Sequence, residues 1–258
     1  MSEADRRPEI LWDHGTAYDF FASLYVIHSP SDYGLRPSWA AGIRSRLSPS
    51  TRELCAATMP GLTVPLSWLY GLPEPKSARA VLDRLESMKP EEILPTVFVN
   101  PRHPGECDAV FLDILARGQW TPADLDSCCS HMSHAGKKSA EDTRTAISRL
   151  LDAWAQPAVF GEQWRASLRE FYEVFYREEE RRIAPDVERA LARAQDLASR
   201  LSAAELFEEL SQGIRMADHL SHRSIVFIPC YWCSPRILSR RRTSRAGCAC
   251  APRPSATT

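Results

Sequence analysis

The chain reads EQWRASLREFYEVFYREEERRI from Glu162 to Ile183, a stretch with clear helical periodicity. Its large apolar residues recur at i, i+4, i+7 and i+11, and they are Trp164, Leu168, Phe171 and Phe175. This spacing places them on one face of an amphipathic helix. Helical patterns also occupy residues 140–155 and 185–201 on either side. We therefore predict that three long helices dominate the second half of the chain.

Helix-start signals extend the helical pattern towards both ends of the chain. They are Thr16–Asp19 and Ser202–Glu205, which have capping-box spacing, and Ser48-Pro49, a capping serine followed by a proline. The stretch 127–139 is polar and lacks such periodicity, and we interpret it as a surface loop. Most of the chain up to about residue 213 is accordingly predicted to be helical.

Only one segment has the character of a β-strand. Ser224-Ile-Val-Phe-Ile228 is apolar and β-branched, and Pro229 follows it directly. A strand needs a partner to satisfy its backbone groups, and the sequence pattern indicates none. The predicted fold is therefore mainly α, an irregular multi-helix domain with one short strand near 224–228 and a disordered basic C-terminal tail.

The composition of the chain is that of a globular protein. Of its 258 residues, 44% are hydrophobic and 25% are charged, which is enough to bury a sizeable core. No run of 18 apolar residues occurs, and the first ten residues lack the apolar segment of a secretory signal. We expect a soluble cytoplasmic protein that does not use a membrane as a partner.

The near-neutral net charge of −1 conceals an asymmetry between the body and the tail. Residues 236–258 contain six of the 32 basic residues and no acid, so residues 1–235 carry 26 basic and 33 acidic residues, a net charge of −7. The tail has too few apolar residues to fold alone. It is either a disordered basic arm for nucleic acid or an acidic partner, or an out-of-frame translation of a GC-rich gene. We favour the interpretation that the tail is an out-of-frame translation.

Metal-ligand residue types cluster in the polar stretch near the middle of the chain. Cys128, Cys129, His131 and His134 lie within seven residues, and thiolates and imidazoles together suit borderline metals. A second histidine pair, His219 and His222, is spaced one helical turn apart. The metal site that we predict consists of the first four residues, Cys128, Cys129, His131 and His134. The alternative is a polar loop that binds no metal.

Cys230 and Cys233 have the C-x-x-C spacing of redox and zinc sites, and Cys248 and Cys250 follow in the tail. A thioredoxin-like use requires a βαβ frame, which the pattern does not indicate, so buried space-filling cysteines are the simpler interpretation.

The aromatic residues Trp164, Phe171 and Phe175 are a candidate ligand pocket between helices, although such a stripe more often belongs to the core. The sequence contains no serine-nucleophile elbow, phosphate-binding glycine loop or HExxH motif. We therefore predict no catalytic residues, no enzymatic activity and no cofactor.

Several segments resemble a family of bacterial ArsR-type transcriptional regulators. These are WDHGTAYDFFASL from Trp12, YGLRPSWAAGIRSRL from Tyr33, LPEPK from Leu72 and the strand that ends at Ile228-Pro229. The resemblance covers about residues 9–235. In that family, a long helical N-terminal region precedes a winged helix-turn-helix domain.

The resemblance implies a regulator that binds operator DNA, forms a homodimer and responds to a small-molecule effector. Residues 1–223 would be the helical effector or dimerisation domain, 224–235 a strand leading to an absent winged-helix domain, and 236–258 a disordered tail. No recognition-helix pattern follows the strand, so we expect a regulator truncated before its DNA-binding domain, with no DNA-binding residue in this chain. The alternative is a stand-alone helical protein that binds a small ligand or a metal.

Overall fold

The computed structural model describes residues 8–59, 62, 64–101, 104–132, 140–215 and 224–233, and most of them are helical, which confirms the predicted mainly α class. The helices are α1 (Thr16–His28), α2 (Pro37–Arg44), α3 (Pro49–Thr58), α4 (Leu66–Gly71), α5 (Ala78–Glu86), α6 (Pro90–Phe98), α7 (Asp108–Arg117), α8 (Pro122–Met132), α9 (Ala140–Ala155), α10 (Pro157–Phe171), α11 (Arg177–Ala198) and α12 (Ala203–Leu210). The strands are β1 (Glu9–Trp12) and β2 (Ser224–Phe227), and a π-helical segment occupies Tyr172–Tyr176.

The chain divides into two compact units. Unit 1 takes its residues from Met1–Ala41, Pro73–Ala78 and Tyr176–Thr258, and unit 2 from Gly42–Leu72 and Arg79–Phe175. The helical domain predicted over 1–223 includes residues of both units, and it stays a prediction. The predicted tail, 236–258, lies outside the described residues.

The prediction that the strand near 224–228 has no partner is wrong. β2 pairs in parallel with β1, and the register aligns Glu9 with Ser224 and Trp12 with Phe227. β1 is only four residues long, too short for a recognisable alternation of apolar and polar residues. Because the chain supplies this partner itself, the pairing of β2 does not require a further domain.

The β1–β2 sheet packs on the last two helices of unit 1. Ile225 and Phe227 join a buried cluster with Leu206 and Phe207 of α12 and Ala194 of α11. The capping box at Ser202–Glu205, predicted from spacing, is confirmed and fixes where α12 begins. The helix thereby presents its apolar face to the sheet.

Unit 2 is built around α10, whose apolar stripe is buried as predicted. Trp164, Leu168 and Phe171 are each at most 2% exposed. α10 packs against α3 and α6, and it approaches α6 closely at Gly161. A Cβ atom on Gly161 would lie 2.1 Å from the carbonyl oxygen of Pro90, so this helix contact requires a residue without a side chain.

Two predicted helix boundaries are wrong. α11 continues through Pro185, where a new helix was expected to begin. Proline leaves the carbonyl of Arg181 without its helical N–H partner, but both residues are exposed, so water can hydrate that carbonyl. The expected loop at 127–139 is also partly helical, because α8 ends only at Met132. Residues 133–139 lie outside the described residues.

Within the described residues, no helix is both long and apolar enough to cross a membrane.

Candidate functional site

A buried pair of cysteines lies beside a buried aspartate in unit 1. Asp19 is in the first turn of α1, and Cys230 begins the turn that follows β2. The Cys230 thiol donates to Oδ1 of Asp19 at 3.1 Å, and the backbone N–H of Trp232 donates to the same oxygen at 2.7 Å. The sulfur atoms of Cys230 and Cys233 are 2.8 Å apart. We refer to Asp19, Cys230 and Cys233 as the dithiol site.

The carboxyl group of Asp19 is in an environment that disfavours its charge. The residue is 0% exposed, and its Oδ2 atom has no hydrogen-bond partner among the described residues. Burial, followed by the nearby Cys230, raises the pKa of Asp19 well above its ordinary value, although the N–H of Trp232 opposes this shift. Asp19 therefore holds a proton more tightly than an exposed aspartate does.

Aromatic side chains cover the turn between the two cysteines. The Trp232 ring stacks on Trp39, with centroids 5.3 Å apart and planes at 24°. The guanidinium of Arg182 lies 5.0 Å from the centre of the Tyr231 ring, and its Nη1 donates to the Tyr231 hydroxyl at 3.0 Å. Trp39 and Arg182 thus hold the two aromatic residues of the turn against the body of unit 1.

The C-x-x-C spacing is visible in the sequence, but the place of Asp19 beside it is not. The capping box predicted at Thr16–Asp19 is wrong. Gly15 is the N-cap residue of α1 and no side chain caps this helix. The Thr16 hydroxyl donates to Glu180 at 2.5 Å, and Asp19 accepts from Cys230 and Trp232. Both side chains are engaged by residues distant in sequence, which a local motif does not reveal.

A buried ion pair lies close to the start of α1. The ammonium of Lys76 contacts Oδ2 of Asp13, and both residues are 6% exposed. The Tyr18 hydroxyl donates to the same oxygen at 2.5 Å. In the part of the chain that the structure describes, Asp13, His14 and Glu74 form the one group of three metal-ligand types with mutually close atoms. Because Lys76 already neutralises Asp13, we assign no metal to this group.

The predicted metal-site residues lie on α8 or beyond it. Cys128 is buried, Cys129 is half-buried, and His131 is 43% exposed with its Nδ1 3.4 Å from a Glu106 carboxylate oxygen. His134, like the pair His219 and His222, lies outside the described residues. The four-residue metal site therefore stays a prediction.

Cys128 has a neighbouring thiol that the sequence analysis did not single out. This neighbour is Cys107, and the two thiols share a hydrogen bond. The bond lowers the pKa of Cys107, whereas the same bond, together with burial, raises the pKa of Cys128. Both thiols are at most 7% exposed. Cys128 is thus engaged inside unit 2, while His131 faces solvent.

An open groove lies on unit 2 between α3, α9 and α10. Its volume is about 600 Å³, and its walls include the apolar side chains of Leu54, Val159 and Phe160. Arg149, Asp152 and Glu53 supply charges to the same groove. The groove is the candidate ligand site of unit 2.

The predicted aromatic pocket does not coincide with this groove. Trp164 and Phe171 are buried, and Phe175 is half-buried, with ring centroids of Phe171 and Phe175 5.4 Å apart. The Trp164 ring contacts Phe98 and Phe160. These contacts place the stripe among core residues, and a ligand pocket formed by the three aromatics stays a prediction.

Comparison with protein-family models, with curated proteins and with solved structures gives no match to this chain. The ArsR-type resemblance therefore continues to depend on the sequence segments that suggested it.

Proposed function

We propose that this chain is the effector-sensing region of an ArsR-like transcriptional regulator and that its effector is a small amphipathic molecule. The observation that carries this proposal is the groove on unit 2. Its volume of about 600 Å³ is within the range of about 300–1,000 Å³ that is typical of small-molecule sites. The resemblance supplies the regulatory context.

The lining of the groove favours a ligand with an apolar body and a polar or charged group. Leu54, Val159 and Phe160 offer apolar contact, and the Val159 side chain is 53% exposed. Arg149 can pair with an anionic group of the ligand. The Asp152 carboxylate already accepts from the Trp120 indole N–H at 2.7 Å, and Glu53 is an exposed carboxylate of the same lining. A carboxylate-bearing aromatic or aliphatic molecule satisfies both features.

Charge supports a sensing role over direct DNA contact for the body of the chain. Residues 1–235 carry a net charge of −7, whereas affinity for DNA depends on neutralising phosphates with lysine and arginine. Operator DNA and a homodimeric partner are accordingly proposed for the regulator as a whole and not for the described units.

The experiment is ligand-observed NMR of the full chain against aromatic and aliphatic carboxylates. Ala56, an exposed residue that lines the groove, is replaced by tryptophan to fill it. The matched control is Ala116→Trp, an exposed alanine on α7 that is not part of the lining. We expect binding that Ala56→Trp abolishes and Ala116→Trp retains. Equal binding by all three proteins would contradict the proposed site.

The second candidate function is a stand-alone ligand-binding protein. The pairing of β2 with β1 favours it, because the strand finds its partner within this chain. Resequencing the gene across the codons for 225–258, with translation of all three frames downstream, separates the two functions. A helix-turn-helix pattern in another frame favours the regulator, whereas a stop codon after Thr258 with no such pattern favours the stand-alone binding protein.

A further inference from the structure

We propose that Cys230 and Cys233 are a reversible oxidation site, at which a small hydroperoxide converts the two thiols into an intramolecular disulfide and Asp19 accepts the thiol proton. This inference is independent of the ligand site proposed above, because it concerns unit 1 and the groove belongs to unit 2. It also assigns a chemical use to a motif that the regulator function does not require.

The two sulfur atoms are already close enough for a bond. Their separation is 2.8 Å, and closing it to the bonded distance of about 2.05 Å requires each atom to move by less than about 0.5 Å. Both cysteines are thiols in this structure. Cys230–Cys233 is also a short loop within one turn, so forming the bond requires no distant rearrangement.

Asp19 is placed to take the proton of Cys230. Its Oδ1 atom accepts the hydrogen bond of the thiol at 3.1 Å, and a hydrogen bond of this kind is the path of a direct proton transfer. Burial raises the pKa of the carboxyl group, so Asp19 accepts the thiol proton only in its ionised form, and the rate of oxidation should increase as pH rises. The second oxygen, Oδ2, is buried without a partner among the described residues.

The burial of the site selects the oxidant. Cys230 is 5% exposed and Cys233 is 1% exposed. Because so little of Cys230 is exposed, we expect a molecule as small as hydrogen peroxide to reach its sulfur and a peptide disulfide as large as oxidised glutathione to be excluded. Cys230 is the more accessible thiol and the one bonded to Asp19, so it is the first to be oxidised.

The reaction proceeds in two balanced steps. In molecules whose Asp19 is ionised, the carboxylate takes the Cys230 proton and the thiolate attacks a peroxide oxygen, which forms an S–O bond and breaks the O–O bond. The departing hydroxide takes the proton from Asp19 and leaves as water. Cys233 then attacks the sulfur of the Cys230 sulfenic acid, the S–O bond breaks, and the hydroxide leaves with the Cys233 proton as a second water. Each sulfur loses one electron, and each peroxide oxygen gains one. A dithiol reductant reverses the change by exchange and is itself oxidised to its disulfide.

The experiment follows one tryptic peptide of the full chain. Trypsin cleaves after Arg223 and after Arg236, so it releases residues 224–236 as one peptide, which contains Cys230 and Cys233 and no other cysteine. The reduced protein is treated with hydrogen peroxide, unfolded in urea so that every remaining thiol is accessible, labelled with iodoacetamide, digested with trypsin and analysed by mass spectrometry. We expect the peptide to lose both labels together and two hydrogens, and to regain both labels after dithiothreitol. Oxidised glutathione should leave it unchanged over the same period.

Two variants test the assigned roles. Asp19→Asn keeps an oxygen for the Trp232 N–H and should slow oxidation by roughly 10²-fold, the lower end of what a positioned proton acceptor contributes. Asp32→Asn, an exposed aspartate of unit 1, should oxidise at the native rate. Cys233→Ser should accumulate the sulfenic acid on Cys230, detected as a dimedone adduct, and this readout does not depend on the stability of the Asp19 variant.

Several results would overturn the proposal. They are a peptide that keeps both labels under peroxide, oxidation of Cys230 directly to the sulfinic acid without loss of the Cys233 label, and stoichiometric zinc bound through these thiols in the reduced protein. Equal oxidation rates for the native chain and Asp19→Asn would remove Asp19 from the mechanism.

Discussion

The Asp19 Oδ1 atom lies 3.1 Å from the sulfur of Cys230, although the two residues are 211 positions apart in the chain. This contact joins α1 to the turn after β2 and places a carboxyl group in full burial. Its consequences for stability can be measured separately from any redox chemistry.

Asp19→Asn should reduce the pH dependence of folding. Burial and the neighbouring Cys230 raise the pKa of Asp19 in the folded protein, so the folded state retains a proton that the unfolded state releases above about pH 4. The native free energy of unfolding therefore falls as pH rises from that value, by up to about 1.4 kcal/mol per pH unit. Urea denaturation at pH 5, 6 and 7 measures this effect. The free energy of unfolding of the variant should increase relative to that of the native chain as pH rises, and a difference that stays constant would contradict this.

Glu170→Gln should destabilise the protein at neutral pH more than in acid. Partial burial raises the pKa of Glu170, but hydrogen bonds from the Thr51 hydroxyl and from the Ser48 N–H and hydroxyl outweigh it and hold the pKa below its usual value. This stabilisation is present above the unfolded pKa and is lost as pH falls through the folded pKa. We expect a loss of about 1 kcal/mol at pH 7 that shrinks towards pH 3.

Urea denaturation at pH 7 and pH 3 measures this difference. The control is Glu178→Gln, an exposed glutamate, which should change stability little at either pH. A loss for Glu170→Gln that is equal at both pH values would argue against the anionic hydrogen bonds as its cause.

Gly161→Ala should force α10 and α6 apart. A Cβ atom there would lie 2.1 Å from the Pro90 oxygen, a backbone atom that cannot rotate away. Overpacking of this kind costs about 1–3 kcal/mol. The control is Gly42→Ala in α2, where nothing lies within 4 Å of the added methyl group, and it should stabilise the helix by up to about 1 kcal/mol. Hydrogen exchange of peptides from α6 and α10 should increase only in the Gly161 variant.

Lys76→Met should destabilise unit 1 strongly. It leaves the buried Asp13 carboxylate without its cation, and removal of one partner of a buried ion pair costs about 3–5 kcal/mol. Adding Asp13→Asn removes the uncompensated charge, so the double variant should recover part of the loss. A double variant that is less stable than Lys76→Met alone, measured by urea denaturation, would show that the charge of Asp13 is not the cause.

The helical class was predictable because it depends on local repetition. The stripe at Trp164, Leu168 and Phe171 and the capping box at Ser202 each need only a few consecutive residues, and the structure confirms both. The C-x-x-C spacing of Cys230 and Cys233 was visible in the same way.

The sequence by itself therefore determined that most of the chain is helical and where the candidate thiols occur. Only the tertiary structure decided that β1 pairs with β2, that Pro185 lies inside α11 and that Asp19 faces Cys230. Thr16 and Asp19 show why: their spacing suits a helix cap, but both side chains bond to residues more than 150 positions away. Burial against those distant residues outweighs a local hydrogen bond, because an unpaired polar group in the interior costs more than an unused cap on the surface.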